Sequence, residues 1–245
     1  TVTPFEHMAN RYMFCVIENR ADSHYRDLLE NIFSNNLKSI LSSMQSLVKA
    51  SGSLSPAEFQ PLMRAQLMQI DEVINNFEIL QKIENGESLP GRQEWFSVKQ
   101  LVDEVITNLR LRQDLRLKYI KKAIPDLMIY SNRTLLGYVL SSIVKNAMEA
   151  ENDRSEILVS VIDSTATISF KIKNQSVMDE KQQKLVFTRF AAGGEGKMGL
   201  GTYCAKKLAT NYLSGKISFI SNREKGTVFT IRIPKLVRDD GSTSV

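Results

Sequence analysis

The spacing at which apolar residues recur changes once along this chain, near residue 90, so no fold built from a single kind of element can accommodate it. Upstream, Leu29, Phe33, Leu37, Ile40, Met44 and Leu47 recur every three or four positions, the pattern of a helix with one apolar stripe. Nearer the start, Phe5, Met8, Tyr12 and Val16 form a narrower stripe, suited to a coiled-coil seam. The stretch "KASGSLSP" interrupts the run, and Ser55-Pro56-Ala57-Glu58 restarts it, reading as a capping box with proline at the first helical position. Ile70, Val73, Phe77, Leu80 and Ile83 make the second stripe, and Gly86 ends it. Two antiparallel helices of about 30 residues cannot bury such stripes on each other alone, so a dimeric four-helix bundle is expected.

From Trp95 onward the period shortens. Ser97 is placed to cap a helix running to about Arg112. "LRLKYI" and "LMIYS" read as short strands, and "RTLLGYVLSSIVKNAMEA" as a helix. "EILVSVID" and "TATISFKIKN" alternate like paired antiparallel strands. The glycine-rich "AAGGEGKMGLG" leads into a helix, "TYCAKKLATNYL", and "KISFIS" with "GTVFTIRIP" closes the chain as a hairpin. Helices gathered on one face of a mainly antiparallel sheet make this half α+β. The polar, Gly- and Pro-containing "NGESLPGRQEW" reads as the linker.

Composition narrows the function classes. Of 245 residues, 42% are hydrophobic and 24% charged, as in a soluble globular protein. No apolar run reaches the roughly 18 to 20 residues that span a bilayer, and no signal peptide opens the chain. The first residue is Thr1, which suggests a processed chain or a fragment, so any membrane link would come through an upstream segment. Cys15 and Cys204 have no metal-ligand spacing and read as buried thiols of a reduced, cytoplasmic protein. The net charge of +5 is scattered, with no basic stripe interleaved with aromatics, so nucleic acid is not an expected partner.

The first helix raises a chemical question. In "IFSNNLKSIL", Asn35 lies about 160° around the helix from Leu37, on the exposed side, and Ser39 shares that side one turn on. Such a position suits a group that must meet another protein. The chain's two histidines, His7 and His24, lie elsewhere, and His24 reads as an ordinary surface residue.

Three segments together, "SSIVKNAMEA", "LVFTRF" and "GLGTYCAKKLA", resemble the N box, F box and second glycine box of sensor histidine kinases. The resemblance covers most of residues 95–235. It implies an N-terminal signal helix at 1–21, a dimerisation and phosphotransfer domain at 22–88, an α/β-sandwich ATP-binding domain at 94–236 and a disordered tail at 237–245. It further implies a homodimer that binds ATP with Mg²⁺ and passes a phosphoryl group to a response regulator receiver domain. Asn146, between apolar "SIV" and "AM", would offer an amide oxygen to Mg²⁺, a cation that prefers oxygen ligands. Gly199, Leu200, Gly201 and Thr202 would form a phosphate-facing helix start. Gly193, Gly194, Gly196 and Lys197 would belong to a lid based on Phe187 and Phe190.

Two departures from the family pattern matter. Where Asp-x-Gly-x-Gly is usual, this chain has "NQSVM". Asn174 keeps an acceptor for the adenine amino group, but Ser176 and Met178 replace both glycines, which would lower affinity if the backbone must approach the base closely. The second departure is at the phospho-acceptor: matched to the family's histidine motif, "FSNNLKSIL" puts Asn35 at the histidine, Asn36 at the acid and Ser39 at the position linked to phosphatase activity. An amide nitrogen is not nucleophilic, whereas imidazole is, so residue 35 should not accept phosphate. Asn35 then marks either a histidine kinase frozen by substitution or a natural pseudo-histidine kinase that serves as scaffold or phosphatase. A nucleotide-hydrolysing switch of the gyrase and Hsp90 kind needs a glutamate one turn before the Mg²⁺ asparagine as general base, and Ser142 stands there.

Overall fold

The structure, a computed structural model, describes residues 23–112, 120–151, 156–188 and 199–235. The expected N-terminal helix at 1–21, with His7 and Cys15, and the tail at 237–245 lie outside the described residues, as do all but the last residue of "LRLKYI".

Helices α1 (Ser23–Ala50) and α2 (Pro56–Asn85) form the hairpin expected from the two stripes. The turn between them is stiffened by the hydroxyls of Ser51 and Ser53, which donate to Val48 and Ala50 carbonyls at 2.7 and 2.8 Å. At the start of α2, Pro56 occupies the first turn and the Glu58 carboxylate accepts from the Ser55 N–H and hydroxyl at 3.0 and 2.7 Å. Those bonds hold the Glu58 carboxyl below its ordinary range. The helix stops where Gly86 turns left-handed at φ 65°, and the Glu87 N–H returns to the Lys82 carbonyl at 2.9 Å, a glycine-dependent stop.

Val73, Phe77 and Leu80 of α2 are buried together with Leu37 and Ile40 of α1, and Ile70 and Met44 pack beside them. Leu200 and Cys204 from the C-terminal half complete part of this core within the chain.

That half begins earlier than the linker reading placed it. Strand β1 (Gln93–Ser97) pairs antiparallel with β3 (Met128–Asn132), Trp95 opposite Tyr130. Between them come α3 (Val98–Arg112), whose first turn is met by the Ser97 hydroxyl at 3.3 Å, and β2 (Ile120–Ala123). Asn132 then caps α4 (Arg133–Ala150), accepting from the Leu135 N–H at 3.0 Å, while its amide donates to the Pro90 carbonyl at 3.2 Å. Gly91, at φ 87°, passes so close that a Cβ would stand 2.5 Å from the Asn132 side-chain oxygen.

The main sheet adds β4 (Ile157–Asp163), β5 (Thr167–Asn174), β6 (Lys216–Asn222) and β7 (Gly226–Pro234) to β2. Its order is β2-β4-β5-β7-β6, antiparallel except for the β2–β4 pair. Helices α3, α4 and α6 (Gly201–Asn211) supply the apolar layer over it, with Leu136, Val139, Ile143, Phe170, Ile172, Leu208 and Ile231 fully buried. A short helix absent from the sequence reading, α5 (Glu180–Leu185), is capped by Asp179, which accepts from the Gln182 N–H at 2.7 Å. The α+β expectation holds, with helices layered on one sheet behind a helical hairpin. Among the described residues, no helix is long and apolar enough to cross a membrane.

Candidate functional site

Of the residues singled out in the C-terminal half, Asn146 lies on α4, Asn174 ends β5, and Gly199 to Thr202 lead into α6. Gly201 opens α6 against α4, and a Cβ there would stand 3.0 Å from the Ser142 hydroxyl. Asn146 follows Ser142 by one turn on the same side of α4 and is half-buried, flanked by the buried Val144, Ala147 and Met148. The expected metal-ligand asparagine therefore lies along the side of α4 that passes the α6 N-terminus. Gly199, at φ 61°, makes the turn into that helix, where unsatisfied N–H groups and the helix dipole favour an anion. Thr202 fixes the start of α6 from the other side by donating its hydroxyl to the Val186 carbonyl.

Asn174, the last residue of β5, is 2% exposed, and among the described residues its side-chain oxygen has no hydrogen-bond partner. An unmatched buried acceptor costs about 1–3 kcal/mol, so it is usual only where something else supplies the donor. Its surroundings hold it in place. Gly226, at φ 69°, turns so close beneath it that a Cβ would be 2.2 Å from the Asn174 carbonyl oxygen. Thr227 pairs with Asn174 across the sheet and donates to the Ser176 carbonyl at 2.7 Å.

Neither position 176 nor 178 depends on the backbone freedom of glycine. Among the described residues, Ser214 alone is a non-glycine at positive φ, so neither position needs a left-handed backbone. The Ser176 hydroxyl turns aside to the Ala150 carbonyl at 2.7 Å and its N–H donates to Glu151, tying the segment to the end of α4. The Met178 N–H is held by the Ser221 hydroxyl at 2.9 Å. Serine here replaces glycine's freedom with a fixed set of bonds, a contribution of Ser176, Glu151 and Ser221 that no spacing in the sequence announces.

Phe187 packs edge-on to Phe219 and Phe229 at centroid distances of 5.7 and 6.2 Å, with the Lys206 ammonium 4.8 Å from its ring centre. Phe190, Gly193, Gly194, Gly196 and Lys197 lie outside the described residues. On the hairpin, Asn35 and Ser39 are exposed and Leu37 is buried, which is the facing read from helical geometry. The side chain of Asn36 is outside the described residues.

These groups suit a purine nucleotide. Asn174 offers a buried acceptor, and the Gly199–Thr202 turn offers N–H donors beside a helix that bears Asn146. Among the described residues, no three His, Cys, Asp or Glu side chains gather to hold a metal by themselves.

Comparison with known proteins agrees with this geometry. Residues 131–237 match the family described as histidine kinase-, DNA gyrase B-, and HSP90-like ATPase. The chain is similar to Sporulation kinase B of Bacillus subtilis (strain 168), 26% identical over 184 residues, which are 74% of this chain and 41% of that protein. It thus spans less than half the length of that relative. Among solved structures it is similar to the Acinetobacter baumannii histidine kinase AdeS, with a TM-score of 0.62 at 19% identity over 82% of this chain and 98% of that one. It is equally similar to the histidine kinase ThkA in complex with the response regulator protein TrrA, with a TM-score of 0.62 at 19% identity over 95% of this chain and 67% of that one. At such identities the two structures speak for the fold.

Proposed function

We propose, from the match of residues 131–237 to the histidine kinase-, DNA gyrase B-, and HSP90-like ATPase family, that the chain is the cytoplasmic core of a two-component sensor histidine kinase. In this reading ATP and Mg²⁺ bind between α4, β5 and the start of α6. The hairpin dimerises and presents position 35, and a response regulator receiver domain docks near Asn35 and Ser39. The observation that carries the nucleotide assignment is the buried Asn174 oxygen, which has no partner among the described residues.

Each residue has a task in that chemistry. Asn174 accepts from the adenine amino group, the N–H groups around Gly201 receive phosphate oxygens, and Asn146 offers its amide oxygen to the metal. Mg²⁺ when bound neutralises phosphate charge and orients the transferable group. The hairpin half of the reading draws on the likeness to ThkA, whose structure holds a response regulator.

Asn35 sets the limit of the activity. It is exposed on α1, where an acceptor would have to be, but its amide lone pair is delocalised and does not attack phosphorus. The chain as it stands is therefore silent in autophosphorylation at this position. Asn35→His should restore ³²P incorporation that survives base and is lost in acid, the behaviour of phosphohistidine. If that variant binds ATP and stays unlabelled, the second reading takes over: a natural pseudo-histidine kinase acting as a dimeric scaffold or phosphatase for its response regulator. A hydrolytic switch is disfavoured by Ser142, whose hydroxyl lies against Gly201 where such enzymes need a carboxylate base.

A further inference from the structure

The hairpin meets the ATPase domain along α2, α4 and α6, and the contact is more polar than a permanent core requires. Asn76 of α2 is 8% exposed, and its side-chain oxygen accepts from the Tyr138 hydroxyl of α4. The Asn76 carbonyl faces the Cys204 thiol of α6 at 3.8 Å. One turn back on α2, Glu72 pairs with Lys145 of α4, which also lies 3.3 Å from Glu149. The pairs 72–145 and 76–138 run in opposite senses, so α2 and α4 lie antiparallel here, and a one-turn slip would strand every polar group. Buried polar pairs of this kind select a register, as a lone asparagine does in a coiled coil.

The apolar part of the same contact reaches the nucleotide site. Leu200 is 1% exposed in the cluster formed by Leu37, Ile40, Val73, Phe77, Leu80 and Cys204. It stands between Gly199 and Gly201, and its carbonyl receives the first helical hydrogen bond of α6 from the Cys204 N–H at 2.8 Å. The residue that fixes the start of the phosphate-facing helix is thus buried largely by hairpin side chains.

Resting on the nucleotide site proposed above, we propose that docking of the ATPase domain on the hairpin and occupancy of the nucleotide site are linked through Leu200. The docked hairpin pre-orders the first turn of α6, and nucleotide on that turn strengthens the dock in return. A coupling of this sort is reciprocal, and pre-ordering a site raises its affinity by removing an ordering cost. The Glu72–Lys145 and Asn76–Tyr138 pairs hold the register in which Leu200 is seated.

The test uses the full chain with AMP-PNP and Mg²⁺, reading affinity by calorimetry and amide exchange in residues 73–80. Glu72→Lys sets two ammonium groups against each other at a half-exposed position that touches no nucleotide group. It should speed exchange in 73–80 about tenfold and weaken AMP-PNP about threefold or more. Adding Lys145→Glu should bring both back to within about twofold of the unmodified chain. In the unmodified chain, saturating AMP-PNP should slow exchange in the same stretch. Faster exchange in Glu72→Lys with unchanged affinity overturns the linkage, as does exchange that ignores the substitution. Failure of the unmodified chain to bind AMP-PNP at all has a different signature and overturns the nucleotide site itself.

Discussion

Replacing Asn174 by leucine should stabilise this protein and cripple its nucleotide site at the same time. Among the described residues the buried side-chain oxygen of Asn174 has no donor, and leucine keeps the same branched outline in a larger side chain without a polar atom. Removing a stranded acceptor returns part of the roughly 1–3 kcal/mol that its burial costs, so a gain of about 1 kcal/mol is expected. In a chain of this length that gain corresponds to a rise in Tm of about 2–4 °C. The nucleotide should pay the opposite penalty, because its adenine amino group would enter a pocket with no acceptor. A loss of about 1.4–3 kcal/mol is a fall in affinity of roughly 10- to 150-fold. Thermal unfolding without nucleotide and calorimetry with ATP and Mg²⁺ measure the two effects. A purine triphosphate lacking the 6-amino group separates cause from coincidence: it should bind the native chain more weakly than ATP does, and Asn174→Leu should not distinguish the two ligands. A variant that is destabilised yet still prefers the amino-bearing purine would refute the reasoning, for the oxygen would then have a partner inside the protein.

Three further outcomes test other parts of the site. Asn146→Ala should abolish the Mg²⁺-dependent share of ATP binding in calorimetry run with and without EDTA, and an unchanged difference would remove Asn146 from the metal. Gly226→Ala should destabilise the chain by about 2–5 kcal/mol, from a left-handed alanine and a displaced β5 end, read as a lowered urea midpoint. A loss below about 1 kcal/mol would mean that the turn relaxes freely. Burial first, and the nearby Glu84 charge after it, push the Cys204 thiol up to about 12 against the opposing pull of the Tyr138 hydrogen bond. Its folded state therefore keeps the proton that an unfolded thiol releases near pH 8.5, so this contribution to stability declines as pH rises above that value. Peptide mapping after alkylation at pH 8.5 should find Cys204 unmodified in the native chain and modified in urea.

Much of the fold is legible because its devices are local. Ser55, Pro56, Glu58 and Gly86 set the ends of α2 through their own side chains or backbone, and the 3.6-residue stripes give the faces of both hairpin helices. What escaped depends on partners distant in sequence. β1 hid in a polar, glycine-containing stretch because its strand character comes from pairing with β3, some 35 positions on. The burial of Leu37 and Ile40 was legible, but not that Leu200 and Cys204 would help bury them. In the C-terminal half, motif order put Asn146 in a helix, Asn174 at a strand end and Gly201 at a helix start, where they stand. The cost assigned to Ser176 and Met178 could not be judged without their backbone angles and the hydroxyl bonds to Ala150 and from Ser221.

The passage from α2 to β1 also limits how far the two halves can separate. Only residues 87–92 join Gly86 to Gln93, and the Pro90 carbonyl is already claimed by Asn132. The unclaimed leash from Gly86 to Pro90 extends at most about 14 Å. On so short a strap the C-terminal lobe can swing like a door on its jamb but cannot roam, and whatever surface it meets on the hairpin has to stand within the arc of that swing.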